Sequence, residues 1–436
     1  MSNIDYSDPN NTPPIGQAVP LGLQHVLAMF ASNVTPSIIV AGAAGLAFGG
    51  AEQIYLIQMA MLFAGIATLF QTIGIGPIGA RLPIMQGTSF AFVGVLAGVA
   101  ATQGLSVALT ACIIAGLIHF SLGSVIQKLR FMFPPLVTGL VILAIGLYLI
   151  PVAIKYAAGG AADFQMAADS FGSLLHWTVA LTVVVVSLAC KFMTKGLISN
   201  AAILIGLIAG YIVAVFSGMV SFGGVENAKW FQLPAVMPYG FEFSLGAVIG
   251  VTLVSLVSAI ETIGDTSATT KAGSERDATD AEISGATYAD GLGTAVAGVF
   301  GGLPNTSFSQ NVGIVGMTGI MSRHVVTIAG IIMIICGLIP KIGAVISSMP
   351  LPVLGGGVIV MFGMVAAAGM NMLSTVSMNR RNMIIISVSL AVGLGLNLVP
   401  SAVQHLPGIW KTLATSAVAP TALFAVIMNL VLPEDD

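Results

Sequence analysis

The sequence predicts an all-α polytopic membrane protein with about fourteen transmembrane segments, arranged as a 7+7 inverted repeat. Three observations lead to this prediction. The composition is too apolar for a soluble domain, apolar segments follow one another along the whole chain, and short motifs of the first half recur in the second.

The composition places the chain in a membrane. Only 7% of its 436 residues are charged and 56% are hydrophobic, whereas soluble domains carry about 25% charged residues. The mean hydropathy is +1.00. A net charge of −3 without a basic stripe argues against a nucleic-acid partner. The three cysteines stand singly in apolar segments, so we interpret them as small buried side chains and predict no metal site.

A membrane-spanning helix needs about 20 mostly apolar residues. Such segments are predicted near 21–48, 54–74, 84–99, 104–123, 134–152, 174–191, 197–217, 244–264, 281–301, 307–320, 324–340, 352–370, 382–399 and 416–432. The third and tenth segments are short. Both are rich in Gly, Ser and Thr where an ordinary span would have Leu and Ile.

The basic residues predict the orientation, because loops on the cytoplasmic side carry an excess of Lys and Arg. With a cytoplasmic N-terminus, most of the 14 Lys and Arg fall on the cytoplasmic side. Both termini are therefore expected in the cytoplasm of a multi-pass inner (plasma) membrane protein.

Two motifs recur about half the chain length apart. In one of them, residues 135–142 are similar to residues 352–359. Thr88-Ser89-Phe90 returns as Thr306-Ser307-Phe308, and each triplet follows a Leu-Pro pair. Two halves with an odd number of spans must enter the membrane in opposite directions. Secondary transporters are built from such inverted repeats, and they bind substrate where broken helices of the two halves meet near the midplane. The segments that carry the triplets are therefore the first candidates for a binding site.

Carboxylates inside apolar segments are costly, by about 2.5–3.5 kcal/mol at a helix centre. Glu261 and Asp265 lie four residues apart, on one face of a helix, and Asp290 follows in the next segment. Because close carboxylates repel, at least one should hold a proton near neutral pH and suit proton coupling. The alternative is a pair at the cytoplasmic helix end, solvated beside Lys271.

A second polar cluster runs from Asn305 to Gly313 and contains Ser309, Gln310 and Asn311. Unwound backbone at membrane depth is tolerated only where it is buried in protein or lines a cavity. A half-helix that begins here would direct free N–H groups at a solute, and the amides suit a flat, hydrogen-bonding ring. The alternative is polar contact between packed helices.

His25 lies early in the first segment, where a hydrogen-bonded structural histidine and a proton carrier are equally compatible with the sequence. No nucleophile–base triad, metal-ligand cluster or dinucleotide fingerprint is present. An intramembrane enzyme is therefore not predicted, and the short terminal segments speak against a receptor.

These residues resemble the nucleobase–ascorbate transporter family, also called nucleobase:cation symporter-2. The segment from Gln310 to Gly319 is similar to its signature, Gln/Glu-Asn-x-Gly followed by Thr, and it includes Gly313 and Thr318. The resemblance covers the whole chain and also rests on Gln24-His25, the aromatic residue of the third segment, Glu261-x-x-x-Asp265 and Asp290.

The resemblance implies short antiparallel strands in segments 3 and 10, a core domain, a gate domain and an elevator-like movement of the core. It also implies a homodimer formed largely through the gate. The implied division is an N-terminal tail at 1–19, core at 20–130, gate at 131–217, an inter-repeat loop at 218–243, core at 244–345, gate at 346–432 and a C-terminal tail at 433–436.

The resemblance also implies roles for single residues. Glu261 would bind ring N–H groups of the substrate, Gln310 its amide edge and Phe90 its ring face. The other substrate-binding residues would be Ser89 and Ser309. The supporting and proton-coupling positions would be Asp265, Asp290, His25, Asn311, Gly313 and Thr318.

The implied function is proton-coupled uptake of an oxidised purine, xanthine or uric acid, with H⁺ as the coupling ion and no cofactor. Gln310 with Asp265 resembles this branch, since uracil carriers of the family usually have Glu and His there. Thr318-Gly319 favours xanthine and Val312 departs from it, so both purines stay open. Uracil or another nucleobase is the alternative cargo, and an anion carrier of a related 7+7 fold is the more distant one.

Overall fold

The structure is a computed structural model, and it describes residues 7–132, 134–160, 163–164 and 166–433. The first six residues of the predicted N-terminal tail lie outside the described residues. So do the last three of the predicted C-terminal tail.

The first half of the chain forms helices and one short strand. In chain order these are α1 (Ile15–Ala43), α2 (Ala51–Thr72), β1 (Gln86–Thr88), α3 (Val93–Gln103), α4 (Leu105–Leu122), α5 (Ile126–Leu129), α6 (Pro135–Ala157), α7 (Leu174–Met193), α8 (Leu197–Asn200) and α9 (Ala202–Phe216). Short 3₁₀ turns at Phe90–Phe92 and Arg130–Met132 connect them.

The second half repeats this plan. Its elements are α10 (Gly223–Asn227), α11 (Leu245–Ser274), α12 (Asp280–Val299), β2 (Asn305–Ser307), α13 (Ser309–Thr318), α14 (Arg323–Gly337), α15 (Pro340–Ser347), α16 (Leu351–Ser374), α17 (Arg380–Leu398), α18 (Gly408–Ala414) and α19 (Val418–Val431), with a 3₁₀ turn at Pro400–Val403.

Each predicted segment coincides with a helix or with a strand followed by a helix. Within the described ranges, 8 helices are long and apolar enough to cross a membrane, or 9 if α14 and α15, bent by 79°, form one span. The count of fourteen therefore stays a prediction. Helices α3, α9, α13 and α19 are shorter, as expected of transporters in which spans are broken around a site.

Two helix ends differ from the sequence-based boundaries. Helix α1 begins at Ile15, inside the predicted tail, directly after Pro14. Helix α11 continues to Ser274, ten residues beyond the predicted end of its segment. Its polar residues Thr262, Thr266 and Thr270 recur every four positions and are fully buried. The predicted end of this helix was wrong because polar residues lower the hydropathy even where they are buried inside the protein.

The helix contacts follow the inverted repeat. Helix α2 packs against α14 and α4 against α12, while α6 packs against α16. The inverted repeat relates segment 2 to segment 9 and segment 4 to segment 11. The contact of α2 with α14 (segments 2 and 11) is therefore equivalent to the contact of α4 with α12 (segments 4 and 9). The third joins the fifth and twelfth segments, which are equivalent to each other. The division into core and gate domains stays a prediction.

The two strands pair with each other at the centre of this arrangement. Their antiparallel register joins Gln86 to Ser307, Gly87 to Thr306 and Thr88 to Asn305. The ladder extends further, because the Phe308 N–H donates to the Met85 carbonyl at 3.0 Å and the Ser89 N–H to the Pro304 carbonyl at 2.9 Å. The repeated Thr-Ser-Phe triplets are thus brought side by side, each just before a helix begins.

Close packing of α2 on α14 depends on Gly65. A Cβ atom there would lie 2.8 Å from the Ile334 amide nitrogen and 2.7 Å from its Cγ1 atom. We expect Gly65→Val to lower the free energy of unfolding by about 1–3 kcal/mol, because backbone cannot move aside as a flexible side chain can. Thermal unfolding of the purified protein measures this. Gly16→Val is the control, because that glycine has open space around it, and equal midpoints for the two variants would contradict the prediction.

Candidate functional site

The candidate site lies beside α11, where each of the two strands ends and the helical segment after it begins. Ser89 and Phe90 follow β1, and Ser309 and Gln310 follow β2. The 3₁₀ turn that begins at Phe90 contacts both α11 and α6, and α13 packs against α11. Residues from the two halves therefore meet at the middle of α11, which carries Glu261 and Asp265.

Asp265 is buried and held by hydroxyl groups. The Ser307 Oγ atom donates to its Oδ2 atom at 2.6 Å, and the Ser309 Oγ atom to its Oδ1 atom at 2.7 Å. Lys271 instead pairs with Asp277 at 3.5 Å, where both side chains are largely exposed. Asp265 therefore faces the strand crossing, and a solvated pair beside Lys271 does not describe it.

Asp290 is fully buried in α12 and accepts hydrogen bonds from three neutral side chains. The Gln86 amide donates to it at 2.5 Å and the Gln71 amide at 3.1 Å, and the Thr262 hydroxyl is the third donor. The Ser307 hydroxyl oxygen also lies 3.3 Å from the Thr262 hydroxyl oxygen. One hydrogen-bonded network thus connects Asp290 with Asp265. Ion pairs in the described ranges involve neither carboxylate.

Glu261 lies one turn before Asp265 and is half-buried. Its carboxylate forms no hydrogen bond with any described residue. It lines a cavity of about 10 Å³, which has room for about one water molecule, together with Thr138, Val141 and Ile145 of α6. Small-molecule pockets usually have about 300–1,000 Å³, so this space admits a purine only after α11 and α6 separate. A carboxylate without a partner here can accept hydrogen bonds from a ligand held between α11 and α6.

Gln310 and Phe90 complete the surroundings of α11. The Gln310 side chain is half-buried, and its amide has no hydrogen bond within the described part of the chain. Phe90 is buried and meets Phe362 of α16 edge-on, with ring centroids 5.2 Å apart. The Ser89 hydroxyl accepts from the Ala91 N–H at 3.3 Å and caps the 3₁₀ turn.

The other predicted residues lie around this centre. Asn311 donates from Nδ2 to the His25 carbonyl at 3.0 Å and lies 3.1 Å from His25 Nδ1, which joins α13 to α1. Gly313 is exposed, and Thr318 donates to the Ile314 carbonyl at 2.8 Å at the end of α13. The structure therefore brings Ser309 into direct contact with Asp265, but places Gly313 and Thr318 further along the helix.

Sequence reasoning missed three supporting residues. Thr262 and Gln71 bind Asp290, and Asn33 accepts from the Thr88 N–H at 2.8 Å and donates to the Ala60 carbonyl at 3.0 Å. Gln71 and Asn33 are buried amides within apolar helices. A buried amide requires a hydrogen-bond partner. An Asn or Gln within an apolar segment was therefore the sequence signal that could have identified these two residues.

Gln71 is expected to stabilise the folded protein. Its amide donates to Asp290 and to the Ala286 carbonyl, and its Oε1 atom accepts from the Ala80 N–H at 3.1 Å. Gln71→Leu removes one of the three donors to Asp290 and takes the side-chain partner from the Ala80 N–H, so we expect the free energy of unfolding to fall by about 1–3 kcal/mol. Gln103→Leu, at the exposed end of α3, is the control. A thermal midpoint unchanged by Gln71→Leu would refute this role.

Comparisons with known proteins agree with one another. The model described as "Permease family" matches residues 16–431. The chain is 38% identical over 415 residues to the uric acid permease PucK of Bacillus subtilis, covering 95% of each chain. It is 35% identical over 421 residues to the xanthine permease of the same organism, covering 95% of this chain and 94% of the relative. A putative purine permease of Clostridium perfringens is 38% identical over 413 residues, 95% of this chain and 90% of the relative.

Two solved structures share the fold at low sequence identity. The transmembrane domain of the cyanobacterial bicarbonate transporter BicA has a TM-score of 0.63 at 14% identity, with 95% of this chain and 97% of that chain covered. The murine anion transporter Slc26a9, inward-facing, has a TM-score of 0.62 at 13% identity, with 95% and 68% covered. These likenesses confirm the fold class. The chain is thus a multi-pass membrane transporter, not an enzyme, and belongs to the nucleobase–ascorbate transporter family of permeases.

Proposed function

We propose that this transporter takes up an oxidised purine, xanthine or uric acid, together with protons. The observation that carries the proposal is the unpaired Glu261 carboxylate between α11 and α6, in a chain 35–38% identical to relatives named for these purines. A carrier of inorganic anions is expected to place a positive side chain near the two helix starts. The described residues that line the Glu261 cavity include no Lys or Arg.

Glu261 and Gln310, whose side chains form no hydrogen bond with a described residue, have the hydrogen-bonding groups that an oxidised purine requires. Such a ring presents N–H groups beside carbonyl oxygens. Glu261 accepts from the N–H groups, and Gln310 donates to a carbonyl and accepts from the N–H next to it. Phe90 presents an aromatic side chain toward the ring, and Ser89 and Ser309 hold the two helix starts in place. A single-ring uracil is the alternative cargo.

The buried carboxylates supply a place for the coupling proton. Burying a charge in a membrane is costly unless it is paired or neutralised. Asp265 and Asp290 have hydroxyl and amide partners but no cationic one among the described residues. We assign the proton to this network, which Ser309 connects with the substrate site. His25 and Asn311 keep α1 and α13 in register, and Gly313 and Thr318 shape α13.

Transport requires α11 and α6 to separate, because the cavity between them is narrow. The α6 side of the cavity is mostly apolar, including Val137, Val141, Ile142 and Ile145. An apolar face imposes no fixed hydrogen bonds, and it suits a core domain that slides past a gate domain as in an elevator. The proposal includes a homodimer formed through the gate, an inner-membrane location and cytoplasmic termini.

Uptake of radiolabelled xanthine and urate into cells that express the chain tests this function. We expect saturable uptake that collapses when a protonophore is added, and the better competitor identifies the preferred purine. Uptake that continues at the same rate in the presence of the protonophore would contradict proton coupling. Absence of uptake of both purines, with the protein present in the membrane, would overturn the substrate assignment, and uracil uptake would then support the alternative.

A further inference from the structure

A second cavity lies far from Glu261, at the end of the protein where the N-terminal segment crosses the helices. Its volume is about 570 Å³. Three arginines from separate segments line it: Arg81 between α2 and β1, Arg276 between α11 and α12, and Arg323 at the start of α14. We call it the arginine cavity. Pro9 and Asn10 of the N-terminal segment also line it, and the Pro9 carbonyl accepts from the Arg323 N–H at 2.9 Å.

Among the described residues, ion pairs neutralise one of the three guanidinium groups. Arg276 forms a two-pronged pair with Glu282, at 2.5 and 2.8 Å. Arg323 donates from Nη1 to the Thr72 carbonyl at 2.9 Å, at the end of α2. Its Nε atom is buried and forms no hydrogen bond with a described residue. Three arginines against one glutamate leave an excess of positive charge among the described residues of the lining.

Arg81 is held in an unusual backbone conformation. Its φ of 57° lies in the left-handed region, which is rare for residues other than glycine, and such strain clusters at functional positions. The loop is fixed by Gln71, whose carbonyl accepts from the Arg81 N–H at 2.8 Å. With the described residues, the exposed guanidinium makes one long hydrogen bond, 3.4 Å to the Gly76 carbonyl. It is therefore available to a ligand in the cavity.

We propose that the arginine cavity binds a phosphate-bearing anion, either a soluble phosphate ester or the head group of an anionic phospholipid. Planar guanidinium groups donate paired hydrogen bonds that match phosphate oxygens. Orientation in the membrane alone requires only that basic residues lie in loops on one side. It does not require three arginines from distant segments to converge, nor one of them to adopt a left-handed conformation.

Binding of inorganic pyrophosphate to the purified full-length protein in detergent tests the proposal by calorimetry. We expect saturable binding with a Kd below about 1 mM, and Arg81→Asn should weaken it at least about tenfold. Asparagine tolerates the left-handed conformation, so this variant removes the charge without adding strain. Arg380→Gln, exposed at the start of α17, is the matched control and should bind like the unchanged protein.

The same measurement in phosphatidylcholine nanodiscs, with and without phosphatidylglycerol, distinguishes the two sources. Loss of pyrophosphate binding only with phosphatidylglycerol identifies a lipid head group, and unchanged binding identifies a soluble phosphate ester. Absence of saturable pyrophosphate binding, or equal binding by Arg81→Asn and the unchanged protein, would overturn the proposal. The assay requires no purine, so its outcome is independent of the proposed transport function.

Discussion

Glu261→Gln is expected to reduce purine uptake at least about a hundredfold while leaving the protein in the membrane. The carboxylate offers only acceptors, whereas the amide turns an N–H₂ group toward the N–H groups of the substrate. Hydrogen bonds to a charged group contribute about 1.5–3 kcal/mol, and two of them amount to a factor of about 100 or more. Initial rates of radiolabelled xanthine and urate uptake measure the effect.

The control for this variant is Glu242→Gln. Glu242 is exposed in the loop before α11 and outside the cavity that Glu261 lines. Its substitution makes the same chemical change and should leave uptake unaltered. Membrane insertion of both variants is compared by immunoblotting. Uptake by Glu261→Gln at the rate of the unchanged protein would remove Glu261 from the substrate site.

Gln310→Ala is the second substitution with a large expected effect. Its amide has no hydrogen bond within the described ranges, so its loss should cost binding rather than folding. Removing a buried hydrogen-bond partner costs about 1–3 kcal/mol, which corresponds to an increase in KM of about 5- to 150-fold. Concentration-dependent uptake measures KM directly.

Gln103→Ala, at the exposed end of α3, is the control for this experiment. It should leave KM unchanged. A thermal unfolding midpoint measured on both variants separates lost binding from lost folding. If Gln310→Ala retained the KM of the unchanged protein, the amide edge of the substrate would have to be bound elsewhere.

The sequence predicted the fold class, and it indicated which residues are candidates for the site, because both rest on local signals. Apolar segments, one repeated triplet and carboxylates in an apolar setting are visible without a structure. Glu261 and Asp265 four residues apart had to share a helix face, and the two Thr-Ser-Phe triplets had to mark equivalent positions. Asp265 indeed contacts Ser307 and Ser309 of the second triplet region.

The partners of Asp290 could not be predicted in this way. Gln71 and Gln86 come from the other half of the chain, and only the packing of α12 on α2 and the register of β1 with β2 bring them to it. The predicted length of α11 was also wrong, because a hydropathy average cannot distinguish a polar helix face that is buried in the protein from one that is exposed to water. Contacts between distant segments, and the direction of each face, require the three-dimensional arrangement.

The central claim is that a purine binds beside Glu261, between α11 and α6. Equilibrium binding of radiolabelled xanthine and urate to the purified protein tests it most directly, because it does not depend on the proton gradient. We expect saturable binding of at least one purine by the unchanged protein and by Glu242→Gln, and its loss in Glu261→Gln. Binding of equal strength by Glu261→Gln and the unchanged protein would contradict the account.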